Sequence, residues 1–452
     1  MSSTPFHVVI IGGGIGGLCL AQGLKARGVS VTVYERNPSD RWLEGYRIHI
    51  NPIGSRALHE CLPPVLWEAF VASAGKPPAG MGFLTEQLKE LVVIADEFMS
   101  DKTNDPVNAH YPVSRIALRH LLLSGLEDEI QYDKTFERYE RTQDGKVTAY
   151  FNDGTSATGD VLVGADGANS RVRKQYLPHA RRIEIGASGV GGKFLLTKQS
   201  KAWLPSQLTT RMNFIMPPDR YCLFNAPFDH VGTSAEARNR AFESAKIAGL
   251  NPDLLIDDEQ DYILWGFLAH TDEYPADMQQ FDKQSILRTV IQMTRGWHPD
   301  LRRFVAESDP DSLSFGPFKA SEIIHPWEST NVTLLGDAIH NMPPSGGLGG
   351  NMALRDAQAL TRALTGIQHD QLPLLPTIQA YEAEMRKHGF AAIRAALGYA
   401  QMAITNNRFT RGASRAWFQA CNAIPPLKRS FEEKWTEPMR NQEELTYAGS
   451  RK

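Results

Sequence analysis

The stretch HVVIIGGGIGGLCLAQGLKARGVSVTVYE, residues 7–35, decides the fold. Val8-Val9-Ile10-Ile11 is a short apolar, β-branched run, the pattern of a parallel strand buried on both faces. Ile15, Leu18, Cys19 and Gln22 then recur at helical spacing toward Leu24, and Gly28 provides the left-handed stop. Val29 to Tyr34 alternates as a second strand and ends at Glu35, completing a unit of β-α-β length. Between strand and helix, Gly12-x-Gly14-x-x-Gly17 meets the demands of a dinucleotide turn. Gly12 permits the tight bend, Gly14 admits a pyrophosphate against the backbone, and Gly17 lets helix and strand pack closely. Free N–H groups at the helix N-terminus attract the phosphates, and Glu35 can accept both hydroxyls of an adenosine ribose. A carboxylate there repels a 2′-phosphate, so this turn disfavours NADP. It does not separate FAD from NAD.

Two later stretches repeat the strand-then-acid pattern: VLVGADGANSRVR at 161–173 and VTLLGDAIHNMPPSGGLGGNMALRDA at 332–357. An Asp just past a strand can cap the next helix and also accept hydrogen bonds from a polyol. Asp337 suits the ribityl chain of a flavin. Pro343 to Asn351 holds four glycines and two prolines before a helix near Met352. Such a loop lets backbone N–H groups approach a flat, electron-rich ligand. The helix N-terminus behind it favours negative charge on a reduced flavin by about 0.3–1 kcal/mol.

Farther out, the 452 residues suffice for two or three domains around a large core. The composition is 42% hydrophobic and 22% charged, ordinary for a soluble globular chain. Lys and Arg number 48 against 51 Asp and Glu, a net charge of −3 that steers toward neither nucleic acid nor an anionic membrane. The four cysteines, Cys19, Cys61, Cys222 and Cys421, form no CxxC pair, so neither a disulfide framework nor a structural metal site is expected. The apolar run from Val8 lacks a preceding basic residue and is broken by glycines, unlike a signal peptide or membrane span. Ala391 to Ile404 carries Arg394 and reads as a packed helix. A cytoplasmic protein is the default.

Ile116 to Leu126 is helical after the cap Ser114. Val147–Phe151 and Asp160–Val163 read as strands beside an Asn152-Asp153-Gly154 turn. Lys193–Thr197, Thr209–Met216, Tyr221–Phe224 and Tyr262–Ala269 suggest an antiparallel sheet inserted between two parts of the first domain. Residues 332–336 resume the buried-strand pattern. Helices follow over Met352–Leu364 and Thr377–Thr405, and a polar tail is expected to be loosely held after Pro438.

With these residues in view, the chain resembles the FAD-dependent aromatic-ring hydroxylases, the group A flavoprotein monooxygenases typified by para-hydroxybenzoate hydroxylase. GGGIGG with Glu35, Asp166-Gly167 through Arg173, and Gly336-Asp337 occur in the family's order. Val113-Ser114-Arg115-x-x-Leu118 and Gly45-Tyr46-Arg47 are weaker matches, and the likeness covers most of residues 6–365. It implies an α/β fold with a Rossmann-like FAD-binding domain over 1–182 and 319–368. A mostly antiparallel β-sheet substrate domain is inserted at 183–318, and a C-terminal helical region occupies 369–452. The implied FAD contacts are Gly12, Gly14, Gly17, Glu35, Arg36, Arg47, Arg115, Asp166, Asp337, Gly349, Gly350 and Asn351. Tentative substrate contacts on the inserted sheet are Arg211, Phe214, Met216, Phe224, Trp265 and Phe267, with Pro343 at the flavin loop. The length leaves no room for the thioredoxin-like domain of the longer phenol hydroxylases.

In such enzymes NAD(P)H reduces FAD, O₂ adds to flavin C4a, and the hydroperoxide gives one oxygen to an electron-rich aromatic or polycyclic substrate. The cofactor carries the chemistry, so no protein nucleophile or metal is required and no catalytic side chain is named. A second GxGxxG is absent, in keeping with a nicotinamide bound in passing; NADH and NADPH are not distinguished. His340 is expected to organise its loop, and His49 and His110 carry no pattern. Lys193 stands about where several relatives have arginine, which puts a phenolate-forming mechanism in doubt. Polyketides, indole alkaloids and terpenoids stay open as substrates, and so does epoxidation beside hydroxylation. Flavin halogenases would need a Trp-x-Trp-x-Ile segment, which no Trp here begins. Amine oxidases lack the later two motifs together, isoprenoid reductases usually lack the aromatic-rich sheet, and a non-catalytic flavin binder would not need the Pro343–Asn351 loop. A dehydrogenase or reductase without oxygen insertion is the remaining alternative.

Overall fold

Strand His7–Ile11 is almost wholly apolar, and in the computed structural model it lies at the centre of a five-stranded parallel sheet. The structure describes residues 6–39, 46–95, 105–229, 235–255, 261–405 and 407–440. From one edge, the order is Val332–Leu334, Val161–Gly164, His7–Ile11, Ser30–Tyr34 and Ile130–Gln131. Helix Ile15–Ala26 packs on the sheet beside helix Gly349–His369. The 31-residue helix Leu374–Ile404 lies alongside, where the Tyr381 hydroxyl donates to the Leu334 carbonyl at 2.9 Å. The strand-helix-strand reading of residues 7–35 and the buried strand at 332 thus describe one doubly wound layer.

A second sheet has seven strands, in the order Asp309–Ser321, Arg182–Leu195, Tyr262–His270, Tyr221–Phe228, Met212–Ile215, Met81–Leu84 and Glu90–Ile94. All its neighbours are antiparallel except Met212–Ile215 with Met81–Leu84. Two of its strands come from residues 81–94, outside the 183–318 stretch in which the sheet was expected. Lys193–Thr197 is the end of a much longer strand. Gly186, Gly189, Gly191 and Gly192 dilute its β-signal, and pairing on both sides overrides their weak propensity. Thr197 instead caps helix Lys198–Trp203 with a capping box. Thr209 and Thr210 belong to helix Ser206–Thr210, and the strand starts at Met212. Asp309–Ser321 carries Pro310 and Pro317, which the sheet tolerates because this strand is its edge. Helix Pro425–Arg440 runs through Pro438, where the loosely held tail was expected to start; the rest of that stretch, residues 441–452, lies outside the described residues.

Strand periodicity sorts the aromatics between two faces. Trp265, Phe267, Leu223 and Ile215 point to the face covered by helices Lys283–Met293 and Pro299–Ala306, where Leu301 and Phe304 complete a core. Met81, Phe83, Met212, Met216 and Ala226 point the other way, with the half-buried Phe214 and Phe224. They meet Phe418, Phe431 and Trp435 from helices Arg408–Ala423 and Pro425–Arg440. Trp265 and Phe267, both 0% exposed, are therefore core residues and not substrate contacts. Their aromatic character reflects sheet packing. Trp265→Ala is expected to cost about 3–5 kcal/mol, read as a fall in the denaturation midpoint. A variant that keeps wild-type stability would remove Trp265 from the core.

Candidate cofactor crevice and substrate pocket

The carboxyl ends of four adjacent parallel strands carry, in order, Asp337, Asp166, the Gly12–Gly17 turn and Glu35. At the spacing of neighbouring strands these groups extend over about 14 Å, along the edge where ligands of open α/β sheets lie. The turn is built by exclusion. Gly12 has φ +107°, and a Cβ there would fall 2.4 Å from the Ala165 carbonyl oxygen. A Cβ on Gly17 would fall 2.1 Å from the Gly12 carbonyl oxygen. Gly14 is exposed and a Cβ there would meet nothing within 4 Å, so its surface is an open cradle at the helix N-terminus. Such a surface suits a pyrophosphate.

Buried Glu35 accepts the Gly13 N–H and the Asn37 N–H, each at 2.9 Å, through different oxygens. Arg119 Nη2 donates to the Gly13 carbonyl at 2.8 Å. The two peptides flanking the Gly13 Cα are thereby held by opposite charges, one on the Gly13 N–H and one on its carbonyl. Burial pushes the Arg119 guanidinium down to about 9 against the pull of Glu35, and it remains a cation at neutral pH. Arg119 was missed by the sequence reading, which singled out Arg115, four residues earlier on the same helix, Arg115–Leu123. Arg115 and Arg36 are exposed, with no hydrogen bond to the described residues. Ser114 caps that helix as expected.

Asp166 Oδ2 accepts the N–H groups of Arg171 and Val172 at 2.7 and 3.3 Å. Its Oδ1 is buried and accepts no hydrogen bond among the described residues, a place for a ligand hydroxyl. Burial raises the Asp166 carboxyl above its ordinary value, against those backbone bonds and one from Ser170. Arg173, on helix Arg171–Tyr176, donates to the Ala338 carbonyl at 2.7 Å and ties this corner to helix Asp337–His340. Asp337 is exposed and accepts no hydrogen bond from the described residues, and a Cβ on Gly349 would lie 3.8 Å from its Oδ1. His340 is fully buried, with Nε2 2.5 Å from Asp356 Oδ2; the same oxygen accepts the Gly336 N–H at 2.9 Å. It organises the turn, as expected.

Gly349, Gly350 and Asn351 open helix Gly349–His369, and their N–H groups are first-turn donors. The Asn351 side chain is fully occupied elsewhere. It accepts the Asn51 N–H and donates to the carbonyls of His49 and Gly347, each at 2.9 Å. It latches the glycine-rich loop to strand Arg47–Ile50 and leaves only its backbone to a ligand. Arg47 is also engaged. Its Nη1 donates to the Pro227 carbonyl at 2.7 Å and its N–H to the Tyr262 hydroxyl at 3.0 Å, joining strand Arg47–Ile50, which pairs with Tyr111–Ser114, to the seven-stranded sheet. Burial lowers its guanidinium to about 10. Gly45 lies outside the described residues. His49 and His110, unassigned from sequence, form a partly buried pair at 2.8 Å.

Beyond the loop, a small cavity of about 20 Å³, room for a water or two, is lined by Phe214, Met216, Leu268, Ser345, Tyr399 and Trp435, among others. It brings together two expected sheet residues, the loop, and C-terminal aromatics that the sequence reading missed. Helical periodicity there announces only packing. A Cβ on Gly346 would lie 2.9 Å from the Tyr399 ring, so phenol and loop are in direct contact. Phe224 lies in the same register row as Phe214, next to Gly266, above which a Cβ would meet nothing. Arg211 is not among the lining residues; its Nη2 pairs with Glu90 Oε1 at 2.5 Å at the far strands of the sheet. Buried Pro343 starts the loop, but Ser345 is the loop residue that lines the pocket.

The FAD-binding-domain family matches residues 5–190 and 282–396. A dual O-methyltransferase/FAD-dependent monooxygenase of Cercospora beticola is 32% identical over 403 residues, 84% of this chain and 44% of its own length. The chain thus spans less than half of that relative. An FAD-dependent monooxygenase of Penicillium herquei is 26% identical over 86% of this chain and 89% of its own length. A crystal structure described as an FAD-containing monooxygenase from Photorhabdus luminescens matches with TM-score 0.76 and 36% identity. That match covers 88% of this chain and 98% of the other. No helix among the described residues is long and apolar enough to cross a membrane.

Arg119→Ala is expected to weaken FAD binding by about tenfold, near 1.4 kcal/mol, in a titration of apoprotein by flavin fluorescence. Unchanged affinity would show that the clamp on Gly13 is dispensable. Asn351→Ala leaves three backbone groups, one of them the buried Asn51 N–H, without their partner and is expected to lower the melting temperature. A melting temperature equal to wild type would contradict the latch.

Proposed function

Because the chain belongs to the FAD-binding-domain family, with FAD as its cofactor, we propose that it is an NAD(P)H- and FAD-dependent monooxygenase of an aromatic or polycyclic small molecule. One observation carries this reading. The acids and glycines on the carboxyl edge end, at Asp337, beside a loop whose other side meets an aromatic-lined pocket. Bound there, FAD supplies the redox chemistry, taking electrons from NAD(P)H and activating O₂ for transfer of one oxygen atom.

The chain supplies position and electrostatics. Glu35 accepts the adenosine ribose hydroxyls on lone pairs not used by the turn. The Gly14 cradle and the N-terminus of Ile15–Ala26 take the pyrophosphate, with Arg36 and Arg115 exposed nearby for charge. Asp166 Oδ1 accepts a hydroxyl of the cofactor, and Asp337 holds the ribityl chain. The first-turn N–H groups of Gly349, Gly350 and Asn351 favour negative charge on the ring system, by about 0.3–1 kcal/mol. Arg47 and Asn351 hold the loop and the second sheet in one arrangement, so the pocket can be closed to water during transfer. Phe214, Tyr399 and Trp435 offer a substrate flat aromatic surfaces.

The test is turnover of FAD-loaded protein with NADH or NADPH under ¹⁸O₂, across naphthols, anthrones and indoles, with peroxide assayed. A compound that stimulates NAD(P)H oxidation and gains one labelled oxygen establishes the activity. A compound oxidised without gaining oxygen would instead assign a dehydrogenase or reductase. Asp337→Ala is expected to yield folded protein with most of its FAD lost; full flavin occupancy would contradict the ribityl role.

A further inference from the structure

Glycine inside a strand costs chain entropy and packs nothing, and where it occurs another backbone or a ligand often comes close. The seven-stranded sheet pairs two of them directly, Gly191 on strand Arg182–Leu195 with Gly266 on strand Tyr262–His270. Neighbouring glycines have reasons within the chain. A Cβ on Gly189 would lie 2.6 Å from the Phe318 ring, and one on Gly192 would lie 2.6 Å from Leu313. Gly191 and Gly266 have no such reason. Neither adopts the left-handed backbone that favours glycine. A Cβ on Gly266 would meet nothing among the described residues within 4 Å, and one on Gly191 would find Ser314 Oγ at an ordinary 3.5 Å.

In register, the two glycines stand between Phe224 and Ser314 in one row across four strands, a span of about 14 Å. The next row on one side carries Leu264 and Lys193; on the other are Leu268 and the Phe318 ring, which lies over Gly189. These side chains bound a gap in the sheet's covering. Phe224, Leu264, Gly266, Gly191 and Lys193 are only half-buried, whereas Trp265 and Phe267 on the reverse face are wholly enclosed. Strand alternation puts Tyr262, Leu264, Gly266 and Leu268 on one face, and both ends of that face reach the glycine-rich loop. Leu268 shares the small cavity with Ser345 at the loop's start. The Tyr262 hydroxyl accepts the Arg47 N–H, on the strand whose His49 carbonyl holds Asn351 at the loop's end. Gly266 falls between these two ties, across from the middle of the loop. Resting on the monooxygenase reading above, we propose that Gly191 and Gly266 are specificity-determining residues, whose missing side chains admit fused aromatic rings laid against the sheet backbone beside Phe224. Phe224 offers the rings an aromatic partner. Each further ring buries more apolar surface and strengthens binding with its area, so the gap selects fused-ring over single-ring substrates. A side chain at either glycine takes the place of that ring.

The probes are phenol and 2-naphthol, which share the hydroxyl and differ by one fused ring. Dissociation constants for FAD-loaded protein are read from flavin fluorescence without NAD(P)H. Wild type is expected to bind 2-naphthol about tenfold more tightly. Gly266→Val fills the gap with a residue that strands favour, so its FAD content and melting temperature are expected to match or exceed those of wild type. Its preference for 2-naphthol is expected to fall to about threefold or less, through weaker binding of 2-naphthol. Gly191→Ala, the smaller change, is expected to lower the preference in the same direction. Failure of 2-naphthol to bind, equal binding of the two probes by wild type, or a preference that neither substitution lowers would overturn the proposal. Melting temperatures well below wild type in both variants would do so too, by showing that the glycines serve the fold. Binding is read without turnover, so a lack of oxygen transfer in the ¹⁸O₂ assay would count against the monooxygenase reading alone.

Discussion

The absence of two methyl groups is the constraint on which the rest of this structure depends. With hydrogen in place of Cβ, Gly17 comes against the Gly12 carbonyl, and Gly12 against the Ala165 carbonyl. Helix Ile15–Ala26 can then start directly at the end of strand His7–Ile11, beside the end of Val161–Gly164. That approach brings Asp166, the glycine turn and Glu35 level along one edge. It also makes the turn dependent on its clamps. Residue Gly13 is held by a carboxylate on its N–H and a guanidinium on its carbonyl, and Glu35 serves the turn while keeping lone pairs for a ribose.

A second set of contacts joins this edge to the aromatic sheet. Asn351 spends its side chain on three backbone groups. Arg47 reaches from the first domain to the Pro227 carbonyl, and the Tyr399 ring fills the space that Gly346 leaves. None of these residues does chemistry in this account. They place a glycine-rich loop between a dinucleotide crevice and a hydrophobic pocket, which is what a reaction carried by a cofactor requires of its protein. The crevice is polar and held by backbone geometry, the pocket is apolar and held by ring packing, and the loop belongs to both.

What was legible in the sequence follows the range of the forces involved. The turn at Gly12–Gly17, the acids at 35, 166 and 337, and the loop from Pro343 are demands of local backbone geometry, and they show as residue types at fixed spacing. The faces of the second sheet were not legible. Trp265 and Phe224 look alike in sequence, yet they fall on opposite faces. Strands with several glycines or prolines, Arg182–Leu195 and Asp309–Ser321, form because neighbours pair with them. Arg115 and Arg119 share one helix, and which of them reaches the turn depends on how that helix is seated. Tyr399 and Trp435 lie on helices whose periodicity reports burial and not what they are buried against. Asn351 was legible as part of the loop, but its role as a latch depends on Asn51 and His49, some 300 residues away in sequence.

On this reading one cofactor spans the carboxyl edge from Glu35 to Asp337 and ends at the loop that contacts Tyr399. A crystal structure of the FAD-loaded protein tests it most directly. The expected result is the adenosine ribose on Glu35, the pyrophosphate over Gly14, and the flavin ring in van der Waals contact with the Gly346–Gly350 backbone, facing Tyr399. A flavin ring lying away from that loop, or an adenosine that leaves Glu35 uncontacted, would contradict it.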